Sequence, residues 1–273
     1  MSTIVRALTQ ADIPAAMRIK DAAGWNQTAE DWRTLLRLAP DTCFGIDCDG
    51  VLASTTTAIC YGSRLAWIGM VLTDPSFRHR GLARCLLEHT LAVLDARGID
   101  WIKLDATEMG APIYQQFGFE DEGAVERWQG IGEGSALTHG AWSGECLGLD
   151  GAAFGADRSR LLARLASHDA AEAPGEGFAM GRAGSRAPYF GPCVCRSAET
   201  ARALAGWFLR RHVGEPVYWD VLAGNAEAVR LARELGFEPV RHLVRMVRRG
   251  VPGAAPLAHD DSLVFGIAGF EFG

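Results

Sequence analysis

Arg78-His79-Arg80-Gly81-Leu82-Ala83 is the stretch on which the reading of this chain turns. It follows an apolar run, Leu65 to Thr73, that stops at Asp74-Pro75, which predicts a strand ended by proline. It continues into Leu82-Ala83-Arg84-Cys85-Leu86-Leu87-Glu88 and on to Arg97-Gly98, which predicts a helix with glycine at its far end. The first N–H groups of a helix lack intrahelical partners and the dipole there is positive, so a pyrophosphate fits at such a start. Gly81 has no side chain to obstruct it, and Arg78 and Arg80 add positive charge.

Downstream, Ile99 to Asp105 has the pattern of a second strand, with Ile99, Trp101, Ile102 and Leu104 apolar. Gly110-Ala111-Pro112-Ile113-Tyr114-Gln115-Gln116-Phe117-Gly118-Phe119-Glu120 follows. The order strand, R-x-x-G-x-A turn, helix resembles motif A of the GNAT superfamily, the acyl-CoA-dependent N-acetyltransferases. The second stretch resembles motif B, a short helix carrying a tyrosine and ending in Gly-Phe. The resemblance implies an α/β (α+β) fold in which a mixed, mostly antiparallel sheet is flanked by helices. Its element order is strand, two helices, an antiparallel meander, helix, strand, helix and strand.

The upstream sequence suits that order. Ile4 to Leu8 reads as a first strand. Thr9-x-x-Asp12 and Thr28-x-x-Asp31 read as capped helix starts, the first helix running through Lys20. Strands are expected at Cys43–Asp47, Val51–Cys60 and Leu65–Thr73, with turns at Gly50 and Gly62. In the helix after Gly81, Arg84, Glu88 and Asp95 form one narrow stripe and leucines cover most of the rest, so it must be buried against a sheet.

The chain also repeats itself. Gly118-Phe119-Glu120 recurs as Gly236-Phe237-Glu238, and at the same shift Trp101 meets Trp219, Leu104 meets Leu222, Leu86 meets Leu204 and Arg78 meets Arg196. Asp31-Trp32-Arg33-Thr34-Leu35-Leu36 resembles Asp157-Arg158-Ser159-Arg160-Leu161-Leu162 at a slightly different shift. Two GNAT folds in tandem are therefore expected, a catalytic domain over 1–135 and a degenerate second one over 145–273, joined through the Gly-rich stretch Gly130 to Gly144. A length of 273 residues suits two domains. In the second copy the constant shift puts Glu199 at the place of Gly81 and Ala232 at that of Tyr114, so this copy reads as scaffold or as substrate wall. Asn225 stands where the first copy has Thr107, in a context resembling motif B.

A net charge of −6 argues against nucleic acid or an anionic membrane as the main partner. No basic segment followed by an apolar one opens the sequence and no apolar run reaches membrane-spanning length, so a cytoplasmic setting is expected. The Arg-, Ala- and Gly-rich composition suggests a GC-rich bacterial genome. Seven scattered cysteines give no disulfide framework; Cys193 and Cys195 read as buried strand thiols, and no metal site is expected.

The family resemblance implies acetyl-CoA as co-substrate. It implies that Met70 to Thr73, with Val71, Leu72 and Thr73 as coenzyme contacts, offer backbone groups to the pantetheine arm and acetyl carbonyl, where splayed strands around a bulge expose backbone that would otherwise be paired. Arg78, His79, Arg80, Gly81, Leu82 and Ala83 would hold the pyrophosphate, with Thr107 also on the coenzyme. Tyr114 occupies the motif position of the acid that protonates the coenzyme A thiolate, and a phenol of ordinary pKa about 10 is protonated at neutral pH; on its own it also reads as a packing residue at a helix end. The expected acceptor is a small-molecule amine, with Trp25, Asn26 and Asp105 as its candidate contacts. Trp25 and Trp67 read equally well as core residues. No base is assigned: the strand Leu65–Leu72 carries no carboxylate, and Asp74, Asp105 and Glu108 are the acids near it in sequence. A non-catalytic acyl-CoA-binding module and a transferase acting on a protein N-terminus or lysine are the alternatives. Oligomeric state is not legible.

Overall fold

The computed structural model describes residues 3–133 and 140–273, so part of the expected junction Gly130–Gly144 lies outside the described residues. Two compact units are formed, and their limits do not follow the sequence repeat.

The first unit takes in residues up to Leu104, together with Val247–Ala255 and Phe272. Its elements are β1 (Thr3–Ala7), α1 (Ile13–Ala22), α2 (Ala29–Leu38), β2 (Cys43–Cys48), β3 (Val51–Tyr61), β4 (Leu65–Thr73), α3 (Leu82–Ala96) and the start of β5 (Trp101–Ala106). The strands lie in the order β1-β2-β3-β4-β5, antiparallel except for the parallel pair β4/β5. Local chemistry explains the element starts. Asp31 accepts from the Thr28 amide at 2.6 Å while its own amide donates to the Thr28 hydroxyl at 3.3 Å, a reciprocal cap for α2. At the other expected cap, Asp12 accepts from the Thr9 amide at 2.7 Å, but a single 3-10 turn, Gln10–Asp12, intervenes and α1 begins at Ile13. Asp12 is also gripped by both terminal nitrogens of Arg6, at 2.9 and 2.7 Å.

The second unit holds Asp105–Met246 and Pro256–Glu271. It contains α4 (Ala111–Gln115), β6 (Glu120–Ile131), β7 (Gly140–Ala141), α5 (Leu147–Phe154), α6 (Ser159–Leu165), β8 (Asp169–Ala173), β9 (Gly177–Arg182), β10 (Tyr189–Cys195), α7 (Ala198–Leu209), β11 (Pro216–Leu222), α8 (Ala226–Glu234), most of β12 (Glu238–Arg249) and β13 (Val264–Gly266). The order is β12-β6-β11-β10-β9-β8-β7, with β13 also on β10. Its core gathers Trp128, Phe190, Phe208, Trp219 and Phe237 under α7 and α8.

The 118-residue shift is reproduced residue for residue in β6 and β12, which span 120–131 and 238–249. The pairing was not legible: β6 runs antiparallel to β11 from Val125↔Leu222 to Ile131↔Pro216, so it joins the unit built mostly from the second repeat. Gly130 is therefore strand and not linker. A Cβ there would meet the Phe237 ring at 2.6 Å, which is why glycine stands at that point.

Four buried or nearly buried ion pairs pin the second unit. Arg127 grips Asp220 at 2.8 and 2.7 Å, Arg158 grips Asp150, Arg182 reaches Glu271 at 2.7 Å, and Arg245 grips Asp105. All seven cysteines are free thiols; Cys193 and Cys195 are buried, with their sulfurs 3.7 Å apart. Among the described residues no helix is long and apolar enough to cross a membrane, and no group of His, Cys, Asp and Glu is arranged to hold a metal ion.

Candidate functional site

The turn 74–83 is built by its own sequence. Asp74 accepts from the Ser76 amide at 2.9 Å and Pro75 starts a single 3-10 turn, Pro75–Phe77. The backbone then becomes extended at Arg78, left-handed at His79 (φ 61°) and left-handed again at Gly81 (φ 76°). Successive backbone amides in a turn of this kind are suited to an anion. The amides of His79, Gly81, Leu82 and Ala83 donate to no acceptor among the described residues, the last two because they open α3. Nothing lies within 4 Å of where a Gly81 Cβ would stand, so the space beside the turn is open. Arg78, His79 and Arg80 are exposed, with the Arg80 guanidinium 5.1 Å from the Phe77 ring centre. The helix behind the turn is fixed: Leu82 and Leu86 pack on Phe44, Ile46, Cys48 and Ala53.

β4 leads into this turn and has lost a neighbour by the time it arrives. Its parallel pairing with β5 covers only Leu65–Trp67 against Trp101–Lys103. On its other edge the ladder steps from Thr57↔Gly69 to Thr55↔Leu72, two residues on β3 against three on β4. This is a bulge, and Met70 within it is left-handed at φ 50° while fully buried. A non-glycine residue held so costs about 1–3 kcal/mol, which the surrounding contacts must offset. Val71 and Thr73 are half-buried and Leu72 is buried.

Trp25 and Asn26, in the α1–α2 loop, also belong to the first unit. Asn26 is buried and Trp25 half-buried, its amide donating to the Lys20 carbonyl at 3.3 Å. The remaining candidates lie in the second unit. Asp105 is held by Arg245 at 2.9 and 3.2 Å, so its carboxylate already has a cation. The Thr107 hydroxyl accepts from the Gly110 amide at 3.2 Å at the start of the short helix α4. The Tyr114 ring stands edge-on to Phe119, with centres 5.9 Å apart, and its hydroxyl has no hydrogen-bond partner among the described residues. Burial raises its pKa above the ordinary phenol value, so the proton is held firmly. Glu108 is exposed, and Asp74 is half-buried and engaged in its turn.

The second repeat carries the counterpart of the β4/β5 opening, and it is filled. β10 and β11 pair in parallel only at Tyr189–Phe190 against Tyr218–Trp219. Beyond that point β13 lies against β10, with Cys193↔Gly266 and Val194↔Val264. The Trp219 indole donates to the Phe265 carbonyl at 2.8 Å, and the Ile267 amide to the Asp220 carbonyl at 3.1 Å. The Asn225 side-chain amide donates to three carbonyls of the same segment, those of Asp261, Ser262 and Val264, at 3.0–3.1 Å. One detail differs from the constant-shift reading. Helix α7 is capped by Ser197, whose hydroxyl accepts from the Thr200 amide at 3.2 Å, so Ser197 and not Glu199 holds the position of Gly81. Glu199 sits in the first turn instead, and the Arg196 guanidinium is spent on the Gly175 carbonyl.

Both halves match the same kind of domain. An Acetyltransferase (GNAT) domain family matches residues 4–121, and a second family of the same description matches residues 146–266. The chain belongs to the GNAT acetyltransferases. It is 28% identical over 171 residues to an uncharacterized N-acetyltransferase, YitH, of Bacillus subtilis, a match covering 59% of this chain and 59% of that protein. The chain thus spans about three-fifths of the length of that curated relative. It is 30% identical over 125 residues to the ribosomal protein bS18-alanine N-acetyltransferase of Salmonella typhimurium, covering 42% of this chain and 78% of the relative. Among solved structures, one described as an acetyltransferase from Pyrococcus horikoshii superposes with a TM-score of 0.86 at 22% identity, over 99% of this chain and 96% of the other. At that identity the likeness is one of fold.

Proposed function

We propose that this chain transfers an acetyl group from acetyl-CoA to a primary amine, using the first repeat alone for the coenzyme. The observation that carries this reading is the contrast between the repeats. The first has an open turn of undonated amides beside a strand, β4, whose edge toward β5 is unpaired beyond Trp67 among the described residues; the second has the corresponding opening filled by β13 and its helix start capped by Ser197. Arg78 and the amides from His79 to Ala83 would take the pyrophosphate. The backbone of β4 from Val71 to Thr73 would run beside the pantetheine arm and donate to the acetyl carbonyl, where negative charge develops as the amine adds.

The reaction forms a C–N bond and breaks the C–S bond of the thioester. The amine nitrogen attacks the carbonyl carbon, the electron pair of the C–S bond leaves with sulfur, and the amine's extra proton passes to water. Tyr114 is the proposed acid that returns a proton to the thiolate. A phenol is protonated at neutral pH, and burial shifts this one further in that direction, so it has the correct protonation state for that step. No carboxylate of the chain is assigned as base.

The acceptor is proposed to be a small-molecule amine approaching the loop that holds Trp25 and Asn26, with Asp105 as a further contact. The resemblance to a ribosomal-protein alanine N-acetyltransferase favours a second reading, a protein N-terminal amine. One panel tests both: small amines, free peptides and lysine-bearing peptides with acetyl-CoA, read as thiol released. Turnover with small amines supports the first reading and turnover with N-terminal peptides the second. Tight acetyl-CoA binding with no thiol release on any acceptor would make the chain an acyl-CoA-binding module.

A further inference from the structure

We propose that Thr55 is a positioning residue for the acetyl-transfer step, holding the bulge of β4 in the conformation that presents its amides. The proposal rests on the reading of β4 given above. The sequence Ser54-Thr55-Thr56-Thr57 places four hydroxyls in succession on β3, all fully buried. Two of them grip the backbone of the neighbouring strand across the bulge. The Thr55 hydroxyl donates to the Met70 carbonyl at 2.8 Å, and the Ser54 hydroxyl to the Leu72 carbonyl at 2.7 Å, while also lying 2.9 Å from the Thr73 hydroxyl.

The consequence follows from peptide geometry. In a trans peptide the C=O and the following N–H point in opposite directions. A Met70 carbonyl fixed toward β3 therefore sends the Val71 N–H away from β3, and a Leu72 carbonyl fixed toward β3 does the same for the Thr73 N–H. On that far side no strand pairs with β4 beyond Trp67 among the described residues. The hydroxyls thus aim two amides into the opened edge. Met70 needs such a restraint, because its left-handed backbone persists only where its surroundings over-determine it. An ordinary ladder partner cannot supply it, since the register skips past Met70. The Thr55 hydroxyl supplies it.

Thr57 is the internal control. It lies two residues further along, on the same face of β3, equally buried, and its hydroxyl has no partner among the described residues. Thr55→Val and Thr57→Val are the same isosteric change on the same strand, and only the first removes the grip on Met70. Thr55→Ser keeps it.

The full-length variants are compared by steady-state kinetics with acetyl-CoA and an acceptor from the panel, by calorimetry with acetyl-CoA, and by crystal structures. Thr55→Val should lower kcat by roughly 10- to 100-fold, since misdirecting an oxyanion donor costs somewhat less than deleting one. Acetyl-CoA affinity should stay within about threefold, because the pyrophosphate turn is untouched. Thr55→Ser should recover most of the rate, Thr57→Val should behave as wild type, and Met70 in Thr55→Val should leave the left-handed region. An equal fall in Thr57→Val, or an unchanged kcat in Thr55→Val, overturns the proposal. So does a Thr55→Val structure in which Met70 and the bulge register are unaltered, and this last result stands even if no acceptor is turned over. Absence of acetyl-CoA binding by the wild-type chain would instead refute the underlying reading of β4.

Discussion

Two requirements coincide at Gly81. Its φ of 76° is comfortable only without a Cβ, and the space above it is empty. The two can be separated experimentally. Gly81→Ala pays the left-handed penalty of about 1–2 kcal/mol but fills little of the space beside the turn, so it should fold and keep measurable acetyl-CoA binding. Gly81→Glu adds bulk and negative charge where the pyrophosphate is proposed to lie. Calorimetry should detect no binding to a folded Gly81→Glu protein, and unchanged affinity would remove the turn from the coenzyme site. Tyr114 gives the second prediction at this scale. Tyr114→Phe should retain coenzyme affinity while losing about a hundredfold in kcat. The direction of its pKa shift sets the pH behaviour: burial raises the phenol above 10.0, so it stays protonated through the neutral range and its acid function should persist up to at least that pH. A kcat that declines on the alkaline side well below pH 10 in wild type, but not in Tyr114→Phe, would contradict this.

Single elements show what a sequence can and cannot disclose. Strand β4, helix α3 and the capped start of α2 fall where periodicity, proline and the Thr28–Asp31 spacing put them, because each depends on residues within one turn or one strand. The bulge in β4 is implied by the family resemblance, around Met70 to Thr73, but its geometry is not legible from the residues. Its left-handed residue is Met70, while the neighbouring Gly69, which sequence would favour, stays in the ladder. The partner of β6 is hidden for another reason: alternation fixes which side chains face the core and says nothing about which strand lies alongside. The grip of Arg127 on Asp220, 93 residues apart, is hidden likewise. Glu172 on β8 is a further example with a measurable consequence. It is almost fully buried, and its carboxylate accepts from the amides of Ser143, Gly144 and Cys146 and from the Ser143 hydroxyl, at 2.6–3.2 Å, just ahead of helix α5. Burial works to raise its pKa, but these donors outweigh it and hold the carboxyl below its ordinary 4.5. The charged form is thus favoured in the folded chain, so this stability is complete above pH 4.5 and fades as pH falls through the depressed value. Glu172→Gln should lose about 1–3 kcal/mol at neutral pH and show a shallower loss of stability below pH 4.5, read from urea titrations. Identical acid limbs in the two proteins would refute the assignment.

At the scale of the whole chain, the two repeats carry openings with different fates, and the pairing of β6 supports the proposal that the second half serves as structure. Seven consecutive residues of β6, Val125 to Ile131, pair with β11. Trp128 is buried in the core under α7 and α8, and the Arg127 guanidinium finds its carboxylate on β11. A chain cut after Glu133 would keep β6 but lose all of these. Its ladder groups would form a bare edge, Trp128 would meet water, and Arg127 would have no Asp220. Residues 247–249, which belong to the first unit, would be gone as well. The truncated chain should therefore aggregate or fail to turn over substrate, even though it contains the whole R-x-x-G-x-A turn and Tyr114. The full chain, in contrast, should bind acetyl-CoA at one site. In the second repeat β13 has taken the place beside β10, Asn225 spends its amide on the carbonyls of that segment, and Ser197 with Glu199 leaves the start of α7 unsuited to an anion. Calorimetric titration of the intact protein is expected to give a stoichiometry of one, abolished by Gly81→Glu. Two equivalent sites, or a soluble and fully active N-terminal fragment, would refute the view that the second repeat serves as structure.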